Sequence, residues 1–215
     1  MIASASPARV RDWITDHLDP LDETVPPGWA MRSDFDLNPE LTTPVSPPLT
    51  AAAVLIGLVE REHGLSVILT RRADTLRNHT GQVALPGGRR DPGETPWRTA
   101  VREAHEEVGL DPALVTPMGL STPYRTVTNY CVVPVVGFVA PGAVLTASIA
   151  EVAEIFEPPL SFLMDAANYE EREGRAPTGE KRRFYAMTWE GRSIWGATAG
   201  ILRALHDRLY GAPLA

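Results

Sequence analysis

The residues with the clearest chemical potential are Glu103, Glu106 and Glu107, which follow the glycine pair Gly87-Gly88 at about a helix's distance. At about 100° of rotation per residue, the three carboxylates fall within an arc of roughly 100° on one side of a helix. Like charges so close repel and raise one another's pKa, so the cluster destabilises an empty site and suits a hard divalent cation, Mg²⁺ or Mn²⁺. Gly87 and Gly88 let backbone approach that metal or a phosphate where a side chain would obstruct. Both glycines are candidates for such an approach, with Gly88 grouped with the three glutamates as metal-ligating and Gly87 placed against substrate. A net charge of -7 and a pI near 5.3 demand a cation between this chain and any phosphorylated substrate. The same balance disfavours broad attachment to nucleic acid or to anionic lipid.

These side chains need a helix to carry them, and its limits are well marked. Thr95 is a good N-cap, Pro96 suits the first helical position and Gly109 is a natural left-handed stop, so a helix is predicted over Pro96 to Val108. Trp97, Ala100, Val101, Ala104 and Val108 form its apolar stripe. Strands are predicted at Ala51 to Glu60, Leu65 to Arg71, Gln82 to Leu85, Val115 to Tyr124, Tyr130 to Val139 and Arg183 to Trp189. Further helices are predicted at Ala197 to Leu209 and, shorter, near Leu160 to Ala166; the polar stretch Asn168 to Lys181 reads as a mobile loop. This mixture argues for an α+β layered domain.

Ahead of this domain, Ser6-Pro7 starts a short amphipathic helix with Val10, Trp13, Ile14 and Leu18 at helical spacing. Seven prolines between Pro20 and Pro48 then make residues 19 to 49 an extended arm laid over the surface, in cis or towards a partner subunit. The expected division is 1–49, helix and arm, and 50–215, the catalytic domain. Cys131 is the only cysteine, which rules out an intrachain disulfide and favours a reducing, cytoplasmic setting. No stretch resembles a signal peptide, and none approaches the roughly 18 to 20 consecutive apolar residues of a membrane span.

A charge run such as Glu106-Glu107 is usually a solvated helix face. Here the wider spacing decides otherwise: a chance match to all the fixed letters from Gly88 to Leu110 has a probability on the order of 10⁻⁷. The segment resembles the Nudix box at Gly88, Glu94, Arg102, Glu103, Glu106, Glu107 and Gly109, and at the aliphatic sites Ala104 and Leu110. The resemblance implies an α/β/α sandwich with a mixed sheet, and hydrolysis of a nucleoside diphosphate linked to another group. It implies that Glu103, Glu106 and Glu107 hold the cations, that Arg102 orients a glutamate and that Glu94 braces the loop. The catalytic set read this way is Glu103, Glu106 and Arg102, with a base either on the box helix or on a loop at Glu154 or Glu151.

Upstream, the run from Val67 to Gly88 looks like the signature of the coenzyme A pyrophosphatase branch at Leu69, Thr70, Arg72, Ala73, Arg77, Gly81, Pro86, Gly87 and Gly88. Leu85 departs from it, standing where that branch usually has phenylalanine. Further likeness in Tyr130–Gly137, Glu151–Leu163 and Ile194–Ala199 extends the resemblance over about residues 50 to 209. Coenzyme A carries a 3′-phosphate as well as its diphosphate, so Arg72, Arg77 and His79 are the substrate-binding candidates. The resemblance thus implies (acyl-)phosphopantetheine and adenosine 3′,5′-bisphosphate as products, and, with the proline-rich arm, a homodimer. The alternatives are a Nudix enzyme acting on ADP-ribose, a dinucleotide or an oxidised nucleoside triphosphate, or a Nudix domain that binds a nucleotide without cutting it. The last is disfavoured because every box carboxylate is present.

Overall fold

A computed structural model describes residues 6–21, 31–42, 48–73, 81–175 and 179–211. The chain opens with helix α1 (Pro7–Asp16), which buries Val10 and Ile14 in the main core; the carbonyl of Ser6, not its hydroxyl, accepts the bond from the Val10 amide. Strand β1 (Arg32–Ser33) follows, then β2 (Thr50–Arg61), β3 (Gly64–Val67), β4 (Leu69–Arg72), β5 (Val83–Ala84) and β6 (Gly87–Arg89). Helix α2 (Pro96–Val108) leads to β7 (Val115–Leu120), β8 (Tyr124–Arg125), β9 (Tyr130–Val139) and β10 (Val152–Phe156). The short helix α3 (Leu160–Leu163), the strands β11 (Glu170–Arg175), β12 (Lys181–Trp189) and β13 (Arg192–Trp195), and helix α4 (Ala197–Tyr210) complete it.

The centre is the parallel pair β2 and β9, in register from Thr50↔Tyr130 to Val59↔Val139. Strands buried on both faces read as continuous apolar runs, and both of these do. Towards one face, Ala53, Leu55, Val133 and Val135 meet Ala100, Ala104 and Val108 of α2; towards the other, Ile56, Leu58 and Val136 join the cluster holding Ile14 of α1 and Leu202 and Leu205 of α4. The result is the expected α/β/α sandwich of the α+β class, with a mixed sheet. No helix among the described residues is long and apolar enough to cross a membrane.

Three local expectations differ from the structure. The run Leu65 to Arg71 is two strands in two sheets: the Ile68 amide bonds to Gly57 O at 3.1 Å and its side chain is buried in the α2-side cluster, so the chain turns between β3 and β4. Val115 to Tyr124 breaks after Leu120, leaving β8 to pair with β9 separately. Within the stretch read as a mobile loop, Glu170–Arg175 form β11, paired with β12 from Glu170↔Ala186 to Arg175↔Lys181. Its charged residues Glu171, Glu173 and Arg175 alternate outward along an edge strand, where charge protects the open edge rather than preventing a strand.

The described part of the arm is integral to the core's edge. β1 adds in parallel to β8, Arg32 reaches Asp207 at 3.2 Å, and Asp34, 9% exposed, accepts bonds from the Tyr124 hydroxyl and the Val127 amide and pairs with Arg182. Asn38 then clasps both backbone groups of Arg183 on β12.

Candidate active site

Helix α2 begins as its caps require: the Thr95 hydroxyl accepts from the Arg98 amide at 3.3 Å, and Gly109 ends the helix at φ 64. The apolar stripe pins this helix to β2, so its other edge lies along β6. There Ala53 pairs with Gly88 and Val54 with Gly87, which carries the glycines to the glutamates. A Cβ on Gly88 would lie 2.6 Å from the Glu103 carboxylate. The Gly87 amide donates to Glu107 Oε2 at 3.3 Å.

Arg102 organises the outer part. Its Nε and Nη2 grip the two oxygens of Glu94 at 2.8 and 3.0 Å, its Nη1 donates to Glu103 at 2.8 Å and to Glu106 at 3.3 Å, and Nη2 also reaches Arg89 O at 3.2 Å. Glu94 in turn accepts from the Thr99 hydroxyl and the Asp91 amide, closing the loop. Hydrogen bonds from Arg102 hold the Glu94 carboxyl down at about 2, so this brace stays charged.

Glu107 is the inner carboxylate, 4% exposed. Burial pushes its pKa up to about 7; the Gly87 amide and Arg72 oppose this, while Glu103 and Glu151 add repulsion. Glu103 is also raised, chiefly by burial and against the pull of Arg102. Among the described residues no three of these side chains form a ready ligand group: Arg102 holds Glu103 and Glu106 while Glu107 leans towards Gly87 and Arg72. Yet the three carboxylates and the backbone of Gly87-Gly88 offer oxygen donors, the chemistry of a hard divalent cation, and the inner two carboxylates repel each other. The residues therefore fit such an ion.

Arg72 extends towards this cluster, its Nη1 3.9 Å from Glu107, and its buried Nε has no hydrogen-bond partner among the described residues. Arg77 and His79 lie outside the described residues. Glu154 is not brought to the box. Val152 pairs with Arg72 and Glu154 with Arg71, so Ala153 is an extra residue, a β-bulge. The bulge inverts the alternation of faces: Arg72 points to Glu107, whereas Glu154 turns to the opposite face and binds Arg192 at 2.5 and 3.0 Å. That far face also carries an open cavity of about 440 Å³ lined in part by Arg71, Glu154 and Trp195. Glu151, the other loop candidate, is the one whose charge is felt at Glu103 and Glu107. Its segment is stitched to the end of α2 by bonds from the Thr146 amide to Val108 O and the Ser148 amide to Glu107 O, and its carbonyl accepts from Ala73.

Sequence reasoning missed Thr99, fully buried, whose hydroxyl bonds Glu94 at 2.8 Å; one threonine near a helix start carries no distinguishing signal. It also missed the stitching of residues 146–151, which is made wholly of backbone bonds.

This sandwich, with its glycine strand laid against a carboxylate helix, suits a protein that holds a divalent cation against a phosphorylated substrate. A model of the NUDIX domain matches residues 48–173. A protein of Enterobacter sp. (strain 638) described as an uncharacterized Nudix hydrolase NudL is 41% identical over 155 residues, 72% of this chain and 80% of the relative. One of Photorhabdus laumondii with the same description is 37% identical over 183 residues, 82% of this chain and 97% of the relative. The crystal structure of RenU, a Nudix hydrolase from M. smegmatis, shares the fold at a TM-score of 0.51 and 22% identity, covering 78% of this chain and 90% of that one. The chain belongs to the Nudix family and is a pyrophosphohydrolase. Enzymes of this family hydrolyse nucleoside diphosphate derivatives and generally use divalent metal ions.

Proposed function

We propose that the chain hydrolyses the diphosphate of coenzyme A and its thioesters, with Mg²⁺ or Mn²⁺ held by Glu103, Glu106, Glu107 and the backbone of Gly88. The observation that carries this reading is Arg72, a signature position of the coenzyme A branch, whose guanidinium stands beside the box with Nε unpaired among the described residues. A buried donor without a partner is costly, and a phosphate oxygen satisfies it with a charge-assisted bond. Leu85, the one departure from the signature, is a 4% exposed member of the main core and leaves that guanidinium untouched.

When bound, such a cation supplies positive charge that offsets the charge building up on the phosphoryl oxygens. Arg102, anchored on Glu94, orients Glu103. Arg72 binds a phosphate and fixes its orientation. Glu151, set beside Glu103 and Glu107, takes the proton of the attacking water as the new P–O bond forms and the bridging P–O bond breaks. Glu154, on the far face, has no direct part in that step.

The test is product analysis by mass spectrometry after incubating coenzyme A and an acyl thioester with enzyme, with and without Mn²⁺. Metal-dependent release of adenosine 3′,5′-bisphosphate and (acyl-)phosphopantetheine is expected. Intact coenzyme A alongside consumed ADP-ribose would move the substrate to that alternative, and binding without turnover would favour a regulatory domain.

A further inference from the structure

The segment between β9 and β10 carries an aliphatic side chain that the fold does not use. Ala143 and Leu145 of that segment pack against the α2-side cluster, and Val152 is buried where β10 begins. Ile149 is instead 90% exposed, the most open large hydrophobic residue among those described. A single exposed aliphatic residue is ordinary on a protein surface, so exposure alone assigns nothing. Its place does. The Ser148 amide donates to Glu107 O at 2.9 Å, and Ser148 O accepts from the amides of Glu151 and Val152 at 2.9 and 2.8 Å, so Ile149 and Ala150 form the corner of a closed turn. Such corners favour glycine, proline, asparagine, aspartate or serine, and a β-branched aliphatic residue has no local reason to stand there. Standard backbone lengths put Ile149 Cα no more than about 11 Å from Glu107 Cα. At the other end of the turn Val152 pairs with Arg72. Main-chain pairing thus fixes the turn between a box glutamate and the arginine assigned to phosphate.

The proposed substrate supplies what such a corner can read. In coenzyme A the diphosphate joins two unlike arms. One begins with a ribose, which is polar; the other begins with a methylene and a carbon bearing two methyl groups, the start of the pantetheine arm. Those methyls are the apolar groups nearest the bond that breaks. An aliphatic side chain beside the box can remove them from water, whereas a ribose gains nothing from the same contact.

We infer that Ile149 is a specificity-determining residue: it packs on the dimethyl start of the pantetheine arm and so selects coenzyme A among the substrates open to this site. The inference rests on the coenzyme A reading and deepens it, and it is independent of which carboxylate takes the proton. The contact is made equally in the bound substrate and in the transition state, so it acts on KM and not on kcat.

Steady-state kinetics on coenzyme A with Mn²⁺, combined with inhibition by each product, test this. Ile149→Ser should raise KM for coenzyme A by about fivefold, with kcat changed less than about twofold and Tm unchanged. Phosphopantetheine should lose about the same factor as a competitive inhibitor, while adenosine 3′,5′-bisphosphate, which lacks the arm, should keep its Ki. Ile149→Leu, which restores the apolar area, should return all these constants to wild-type values. Val144→Ser, which removes another exposed aliphatic residue of the same segment, should leave them unchanged. An unchanged KM in Ile149→Ser, an equal rise in Ki for both products, or the same losses in Val144→Ser would overturn the inference. So would a change of oligomeric state in size-exclusion chromatography, which would make Ile149 a contact between copies of the chain. Wild type that leaves coenzyme A intact would bring down the substrate reading beneath it, a result distinct from all of these.

Discussion

Replacing Glu107 by glutamine is expected to lower turnover by on the order of 10² or more while raising the thermal stability of the metal-free protein at pH 8. The two effects share one cause. Burial lifts this carboxyl from its ordinary 4.5 to about 7, with Glu103 and Glu151 adding repulsion. Between those two values the folded chain holds a proton that the unfolded chain has released, so stability falls as pH rises through that window and the full cost is reached above it. At about 1.4 kcal/mol per pH unit, that cost is on the order of 3 kcal/mol. Glutamine keeps an acceptor for the Gly87 amide and removes the charge, so it should gain several degrees in Tm at pH 8 in the presence of a chelator and little at pH 4. Adding Mn²⁺ at pH 8 should stabilise wild type more than the variant, because the ion binds the folded form and loses a charged ligand in the variant. Thermal unfolding at the two pH values, with and without metal, reads all of this. Equal Tm values in chelator at pH 8, or undiminished turnover, would remove Glu107 from the proposed centre.

What was legible in the sequence is what short-range chemistry encodes. Thr95, Pro96 and Gly109 mark α2 because a cap, a fixed φ and a left-handed stop are each properties of one residue, and the structure shows the helix between them. The apolar runs of β2 and β9 mark the centre for the same reason: two buried faces leave no room for polar residues. Four of the strands that escaped notice, β1, β6, β10 and β13, have at most five residues each and depend on the partner alongside. Arg32-Ser33 has no strand pattern of its own; pairing with Tyr124-Arg125 makes it one. The choice between Glu154 and Glu151 was out of reach for a sharper reason. Alternation along a strand is a parity, and one bulged residue, Ala153, reverses it without any local signal. Charged β11 shows the complementary failure, since a polar run marks a loop and a guarded edge strand equally well.

Adjacent glycines at the box should respond to alanine in opposite ways, which separates the site from the fold. At Gly88 the nearest atoms to the new Cβ would be the Cδ, Oε1 and Oε2 of Glu103, each at 2.6 Å. Those atoms are the end of a flexible side chain and can move, so Gly88→Ala should fold with a Tm close to wild type. The displaced carboxylate, however, gives up its 2.8 Å bond to Arg102 and its place beside Gly88, so kcat should fall by on the order of 10² and metal affinity with it. At Gly87 the Cβ would overlap the carbonyl of Ala53 and lie 2.6 Å from Val54 Cα. That is backbone of the central strand, fixed by its pairing with β9, and it cannot yield. Gly87→Ala should therefore part β6 from β2 and destabilise the protein by roughly 1–3 kcal/mol, as overpacking does. Melting curves and Mn²⁺ titration calorimetry on the two variants distinguish the outcomes. A Gly88→Ala enzyme with normal metal uptake and normal rate would mean that the position of Glu103 does not matter to the reaction, and the carboxylate centre would have to be drawn without it.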